Sequence, residues 1–164
     1  YTYKMSNNYF QGTVENPYHL SIGAVVQNKE GEVCVHYFEK FSHKAAGDFE
    51  DFYLVMRETI EPNETIEQAL ARGLLEEFGM KASLRRYLGS IVSNFSKNDK
   101  TFEKTTLYFL CDFISMDESK RGGDIEATSE IKWLTASYLI EKMKEQRVRL
   151  KRADMDESSI LERL

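Results

Sequence analysis

Between Pro62 and Gly79 the chain writes one complete helix, punctuated at both ends and carrying acid on its apolar side. Thr65 with Gln68 three residues on forms a capping-box pair, Pro62 and Asn63 break the chain before it, and Gly79 ends it. The spacing predicts a helix over Thr65–Phe78 with Ile66, Ala69, Leu70, Leu74 and Phe78 on one face. On the same wheel Glu77 falls inside the apolar arc and Glu76 on its edge. A carboxylate facing the core is costly unless it is paired or ligates a cation, and two adjacent ones repel. Arg72, four residues before Glu76, is one candidate partner; a divalent metal is the other. The wheel alone leaves both open.

The surrounding text is strand language. His19–Gln27 and Glu32–Phe38 flank the turn Asn28–Gly31 and predict a hairpin. A looser stretch near Ala45–Asp48 leads to a third apolar run, Phe52–Met56. After the helix come strands over about Ala82–Phe95 and Thr101–Ile114, joined by the turn Lys97–Lys100, and a charged loop Ser115–Asp124. A short strand Glu130–Leu134, a helix over about Ala136–Gln146 and a helical tail to Leu164 complete the chain. Strands, helix, strands, helix, with hairpin turns between most strands, indicate a mixed sheet flanked by helices rather than regular βαβ repeats. Residues 1–16 are polar and aperiodic and are expected to form an arm, leaving residues 17–164 as one domain. The opening Tyr1 in place of Met leads us to expect a native start upstream.

Composition excludes several classes. A net charge of −5 argues against sequence-independent nucleic-acid binding, which needs a broad positive field. No apolar run approaches the length of a membrane span. Cys34 and Cys111 lie far apart in apolar strand-like runs, which reads as two buried thiols in a reducing cytoplasm. His19, His36 and His43 form no metal-type cluster and receive no role. Phe41, Phe49, Phe52, Tyr53 and Phe95 read first as core strand residues, with base stacking the second reading. Lys97, Lys100 and Lys104 read first as a solvated turn, with phosphate contact second. The basic run Arg147–Arg152, followed by Asp154, Asp156 and Glu157, reads as a salt-bridged surface.

The segment Glu58–Met80 resembles the Nudix box, G-x5-E-x7-R-E-U-x-E-E-x-G-U with U apolar. Seven of nine specified positions agree: Glu64, Arg72, Leu74, Glu76, Glu77, Gly79 and Met80. Glu61-Pro62-Asn63-Glu64 is similar to the family's E-P-G-E loop, with Asn63 able to adopt the left-handed backbone that Gly supplies there. Glu130-Ile-Lys-Trp133 resembles its E-x-x-W strand. The resemblance covers about His19 to Met143.

It implies an α/β fold, an α/β/α sandwich with a mixed β-sheet. It also implies Mg2+- or Mn2+-dependent cleavage of the pyrophosphate bond in a nucleoside diphosphate linked to another group, and it carries the family's common homodimerisation as an expectation. Glu76 and Glu77 would ligate the metal, with Glu64 supporting the loop and Arg72 orienting it by a salt bridge. Glu126 is the expected third ligand; Glu130 and, at the loop entrance, Glu58 are others. Two departures stand out. Arg57-Glu58 replaces the family's Gly-Gly, and Gly73 replaces the Glu after the box Arg, removing a carboxylate and adding a helix penalty of about 1 kcal/mol against Ala. Decay, an engineered change and a reassigned ligand set all fit Gly73. The alternative function is therefore an impaired domain that binds a nucleotide or protein partner without turnover.

Overall fold

In the computed structural model, which describes residues 10–43, 47–122 and 128–164, a seven-stranded mixed sheet is covered on both faces by helices. The strands are β1 (Tyr18–Gln27), β2 (Val33–His43), β3 (Gly47–Leu54), β4 (Met56–Thr59), β5 (Met80–Lys97), β6 (Lys100–Met116) and β7 (Glu130–Leu134). The helices are α1 (Ile66–Phe78), α2 (Ala136–Leu150) and the short α3 (Ser158–Leu161).

The central path runs β3-β2-β1-β6-β5, with β4 on β1 and β7 on β2. β1 and β6 are parallel, from Tyr18 opposite Glu103 to Gln27 opposite Asp112. The expected β1–β2 hairpin exists only at its turn, where Gln27 opposes Val33. Beyond it the strands part, because β1 takes β4 as its antiparallel neighbour and β2 takes β3 and β7. The apolar run Phe52–Met56 is likewise two strands, broken at Val55, one half pairing with β2 and the other with β1.

The period-two alternation of β1 sorts the core into two layers. Ile22, Ala24 and Val26 face α1 with Met56, Leu70, Leu74 and Phe78. Val25 faces the other way, with Leu139 and Met143 of α2 and Ile160 and Leu161 of α3. β5 and β6 form a long hairpin whose turn residues Asn98 and Asp99 have φ of 51° and 60°, the geometry of a two-residue I′ turn.

Helix α1 forms where its caps say it should. Thr65 Oγ1 accepts from Gln68 N, and Thr65 N donates to the Gln68 side chain. Gly79 takes φ 63°, and a Cβ there would lie 2.0 Å from the Asp117 carbonyl oxygen, so only glycine closes the helix against the loop that follows. Cys34 and Cys111 are free and buried, and burial pushes both thiols up to about 12. No helix among the described residues is long and apolar enough to cross a membrane. The basic run at the end of α2 is salt-bridged, Arg147 to Asp156 at 3.7 Å and Arg152 to Asp154 at 2.6 Å.

Candidate active site

The turn from β4 into α1 is tied together by Arg72. Its Nε and Nη2 donate to the two Glu64 oxygens at 2.7 and 3.0 Å, and Nη2 also donates to the Thr59 carbonyl at 2.9 Å. Glu61 N donates to Glu64 in turn, and Asn63 takes φ 66°. That fork-to-fork pairing holds the Glu64 carboxyl below the ordinary carboxylate range, while burial raises that of Glu58. Glu58 and Glu76 each come within 3.6 Å of Arg72 Nη1, and Glu61 lies 3.9 Å from Nε. Four carboxylates therefore surround one guanidinium.

Glu77 is buried, 6% exposed, as the wheel required, and one partner of its carboxylate comes from outside the box. Its Oε2 lies 2.7 Å from His36 Nε2, and His36 Nδ1 lies 2.6 Å from Ser129 Oγ. The Ser129 hydroxyl in turn accepts from Arg121 Nη2 at 2.8 Å. One proton arrangement satisfies the chain: Arg121 donates to Ser129, Ser129 to His36 Nδ1, and His36 Nε2–H to the carboxylate. Burial, reinforced by Arg121 and Arg57, pushes His36 down to about 3, so the ring is neutral and acts as a fixed donor. His36 carried a signal in the sequence: it shares the inward parity of β2 with Cys34 and Phe38, a polar residue on a buried strand face.

β4 presents opposite faces to opposite layers. Met56 and Glu58 face α1. Arg57 points the other way, its Nη1 donating to the Asp154 carbonyl and its Nε 3.9 Å from Glu157. There it borders two adjoining cavities, for Arg57, Lys104 and Met155 line both. One, of about 210 Å³, is walled by Phe38, Phe41, Phe49 and Phe52 and has Glu77 and His36 in its lining. Phe38 stacks on Phe52 at 4.8 Å, and Phe41 and Phe49 meet Phe52 edge-on. The other, of about 620 Å³, is lined by Ser93–Lys97, Lys104 and Arg152.

Several first readings change here. Phe41, Phe49, Phe52 and Phe95 are packed and line cavities at once, whereas Tyr53 belongs to the α2 layer. Lys97 and Lys104 border the cleft; Lys97 and Lys100 are exposed at the hairpin turn, as the solvated-turn reading has it, whereas Lys104 is partly buried. Glu130 is exposed on β7 with Lys132 as its ion-pair partner, apart from the Arg72 group. Glu126 lies outside the described residues.

Lys104 is the cleft's adjustable cation. Burial first, and Arg57 second, lower its ammonium to about 8. Anion binding needs the protonated form, so affinity is present below that value and lost as pH rises through it. The affinity for a diphosphate esterified at both ends, which carries no titratable phosphate proton over this range, should fall by roughly tenfold between pH 7 and 9.5 when measured without metal. Lys104→Met should bind weakly and show a flat profile. A native profile as flat as the variant's would show that Lys104 does not meet the ligand.

A carboxylate-bearing helix, its Arg–Glu clasp and a cleft make up the candidate site. The profile of the NUDIX domain matches residues 17–153. The chain belongs to the Nudix family. Solved structures agree on the fold. A Nudix hydrolase from Nitrosomonas europaea superposes with a TM-score of 0.55 at 15% identity, covering 84% of this chain and 90% of that one. The ORF135 protein of E. coli gives 0.53 at 14% identity, over 93% and 92%. A MutT protein from Methanosarcina mazei Go1 gives 0.52 at 17%, over 87% and 99%. No curated protein sequence matches.

Nudix hydrolases generally use divalent metal ions. Among the described residues no three His, Cys, Asp or Glu side chains are grouped as metal ligands. The donor set nonetheless fits a hard cation of the Mg2+ kind, which keeps most of its waters and is commonly held by one or two carboxylates together with substrate phosphates. Glu58 and Glu76 are such a pair of oxygen donors beside a surplus of negative charge.

Proposed function

We propose that this Nudix domain hydrolyses the pyrophosphate bond of a nucleoside diphosphate linked to another group, with Mg2+ or Mn2+ as cofactor, in the cytoplasm. The observation that carries the reading is the meeting of three chemistries at one place. Glu77 from the catalytic helix, the cations Arg57 and Lys104, and a phenylalanine-walled cavity share one cleft.

An aromatic slot accepts a base by stacking, and the flanking cations take the phosphates. Glu76, on the exposed edge of the same helix, would hold the metal, which supplies charge neutralisation at the phosphates and an activated water. Arg72 and Glu64 fix the loop on which these groups depend, and His36 holds Glu77 at the cavity wall.

The test is phosphate release, coupled to excess phosphatase, from a panel of nucleoside diphosphate derivatives with Mg2+ or Mn2+. The native chain should turn over at least one member, and Glu76→Gln should lower kcat by roughly 100-fold or more. Absence of turnover across the panel, with retained nucleotide binding, would instead identify a domain that binds without hydrolysing.

A further inference from the structure

The larger cavity, of about 620 Å³, is built on one row of the sheet. His19 on β1 stands opposite Lys104 on β6, and Lys104 stands opposite Ser93 on β5. Lys97 follows Ser93 by four residues, on the same face of the strand and roughly 13 Å along it. All four residues line the cavity, together with Arg152, Asp154 and Met155. Asp154 and Met155 lie past residue 153, where the family match ends, so the chain's own C-terminal segment contributes to this wall. The segment is tied down. Gln146 Nε2 donates to the Met155 carbonyl at 2.6 Å, and Arg57 Nη1 to that of Asp154 at 3.2 Å.

The cations of the lining are not alike. Arg152 is closed on both Asp154 oxygens, at 2.7 and 2.6 Å, and Arg57 faces the Asp154 carbonyl and Glu157. The ammonium groups of Lys97 and Lys104 make no hydrogen bond or ion pair among the described residues. Two unpaired cations thus border one cavity, four residues of β5 apart. The smaller cavity has another character. Phe38, Phe41, Phe49, Phe52, Leu54 and Val55 carry no hydrogen-bonding side chain, so that slot stacks a ring without reading its edge.

We propose that the larger cavity seats the group linked to the diphosphate, that this group carries a phosphate of its own, and that Lys97 selects for it. The inference rests on the nucleotide reading above and narrows it. Arg57 and Lys104 line both cavities, so a diphosphate between them sends its base into the phenylalanine slot and its other end along β5. That end passes the Ser93 hydroxyl and reaches Lys97. Selectivity therefore lies with the linked group rather than with the base.

The test is calorimetry at pH 7 without metal, using ADP-ribose and the same molecule phosphorylated on its terminal ribose. The added group carries close to two negative charges at that pH. The native chain should bind the phosphorylated probe roughly tenfold more tightly, the effect of one charge-assisted contact. Lys97→Met should bring the ratio of the two affinities close to one. Lys100→Met, which removes an equal charge from the same hairpin turn but does not line the cavity, should keep the native ratio.

Equal affinities for the two probes in the native chain overturn this inference and leave the hydrolase reading standing. A ratio lowered as much by Lys100→Met as by Lys97→Met also overturns it, because a general positive field at the turn would then account for the preference. A native chain that binds neither probe overturns the inference and the nucleotide reading together.

Discussion

Replacing Glu157 with alanine should lower the unfolding free energy by about 3–5 kcal/mol, the cost of breaking a buried charged network by removing one partner. Glu157 is 1% exposed and follows α2 by several residues, where sequence reading saw only a charged surface. Its carboxylate accepts from Val55 N at 3.0 Å and from the Tyr108 hydroxyl at 2.6 Å, and lies 3.9 Å from Arg57 Nε. Alanine leaves a buried amide, a buried phenol and the partly buried guanidinium without it. Each orphaned donor carries its own desolvation cost.

For a chain of this length the loss corresponds to a fall in Tm of roughly 10 °C. Glu157→Gln, whose one carbonyl oxygen still accepts from Val55 N while its NH2 turns to the Tyr108 oxygen as donor, loses the charge facing Arg57 but should cost markedly less. Urea titration of the three proteins reads the difference. A Glu157→Ala midpoint equal to that of the native chain would mean that the tail does not hold the cleft wall together.

The second large effect is expected at His36. His36→Leu should cost about 3 kcal/mol, because it removes the Nε2–H donor from a buried carboxylate and leaves Ser129 without its ring acceptor. Turnover should fall with it, since Glu77 loses the contact that sets its direction at the cavity. His36→Gln, which retains a donor and an acceptor on a flexible stem, should recover part of both.

The same residue shapes the response to acid. Its pKa is near 3 when folded against 6.5 as the ordinary value, so between those limits the unfolded chain binds more protons. Stability is therefore full above pH 6.5 and declines as pH falls toward 3. His19, lowered to about 4 by burial and by Lys104, adds to the same slope. Urea midpoints measured from pH 7 to pH 4 should fall more steeply for the native chain than for His36→Gln. Equal slopes would show that burial of the ring does not drive the acid sensitivity.

Helix α1 was readable almost to the residue. Its caps, its stop at Gly79 and the inward turn of Glu77 all follow from contacts three or four residues apart, which the sequence displays directly. β1, β7 and the β5–β6 hairpin were readable for a similar reason: period-two alternation and a two-residue turn are local signals. The division of Phe52–Met56 between β3 and β4 was not, because the run is apolar across the break with no turn residue in it, and only the different neighbours of its two halves separate them. Nor was the length of α2, whose last turn extends past Gln146 to Leu150 through a polar stretch.

At the site the same boundary holds. Spacing identified Glu64, Arg72, Glu76 and Glu77 as a group, because one helix and its entry loop carry them all. It could not identify what each one meets. His36 reaches Glu77 across 41 residues of chain and Glu157 reaches Val55 across 102, distances over which chain order says nothing about proximity. Gly73 is the sharpest case. As a letter it is a missing acid in a helix; in the folded chain it is the space against which β4 sets Met56 and Glu58. Local periodicity determined which acids share a face. Only the pairing of β4 with β1, and the packing of α1 across that pair, decided which strand residue stands opposite them.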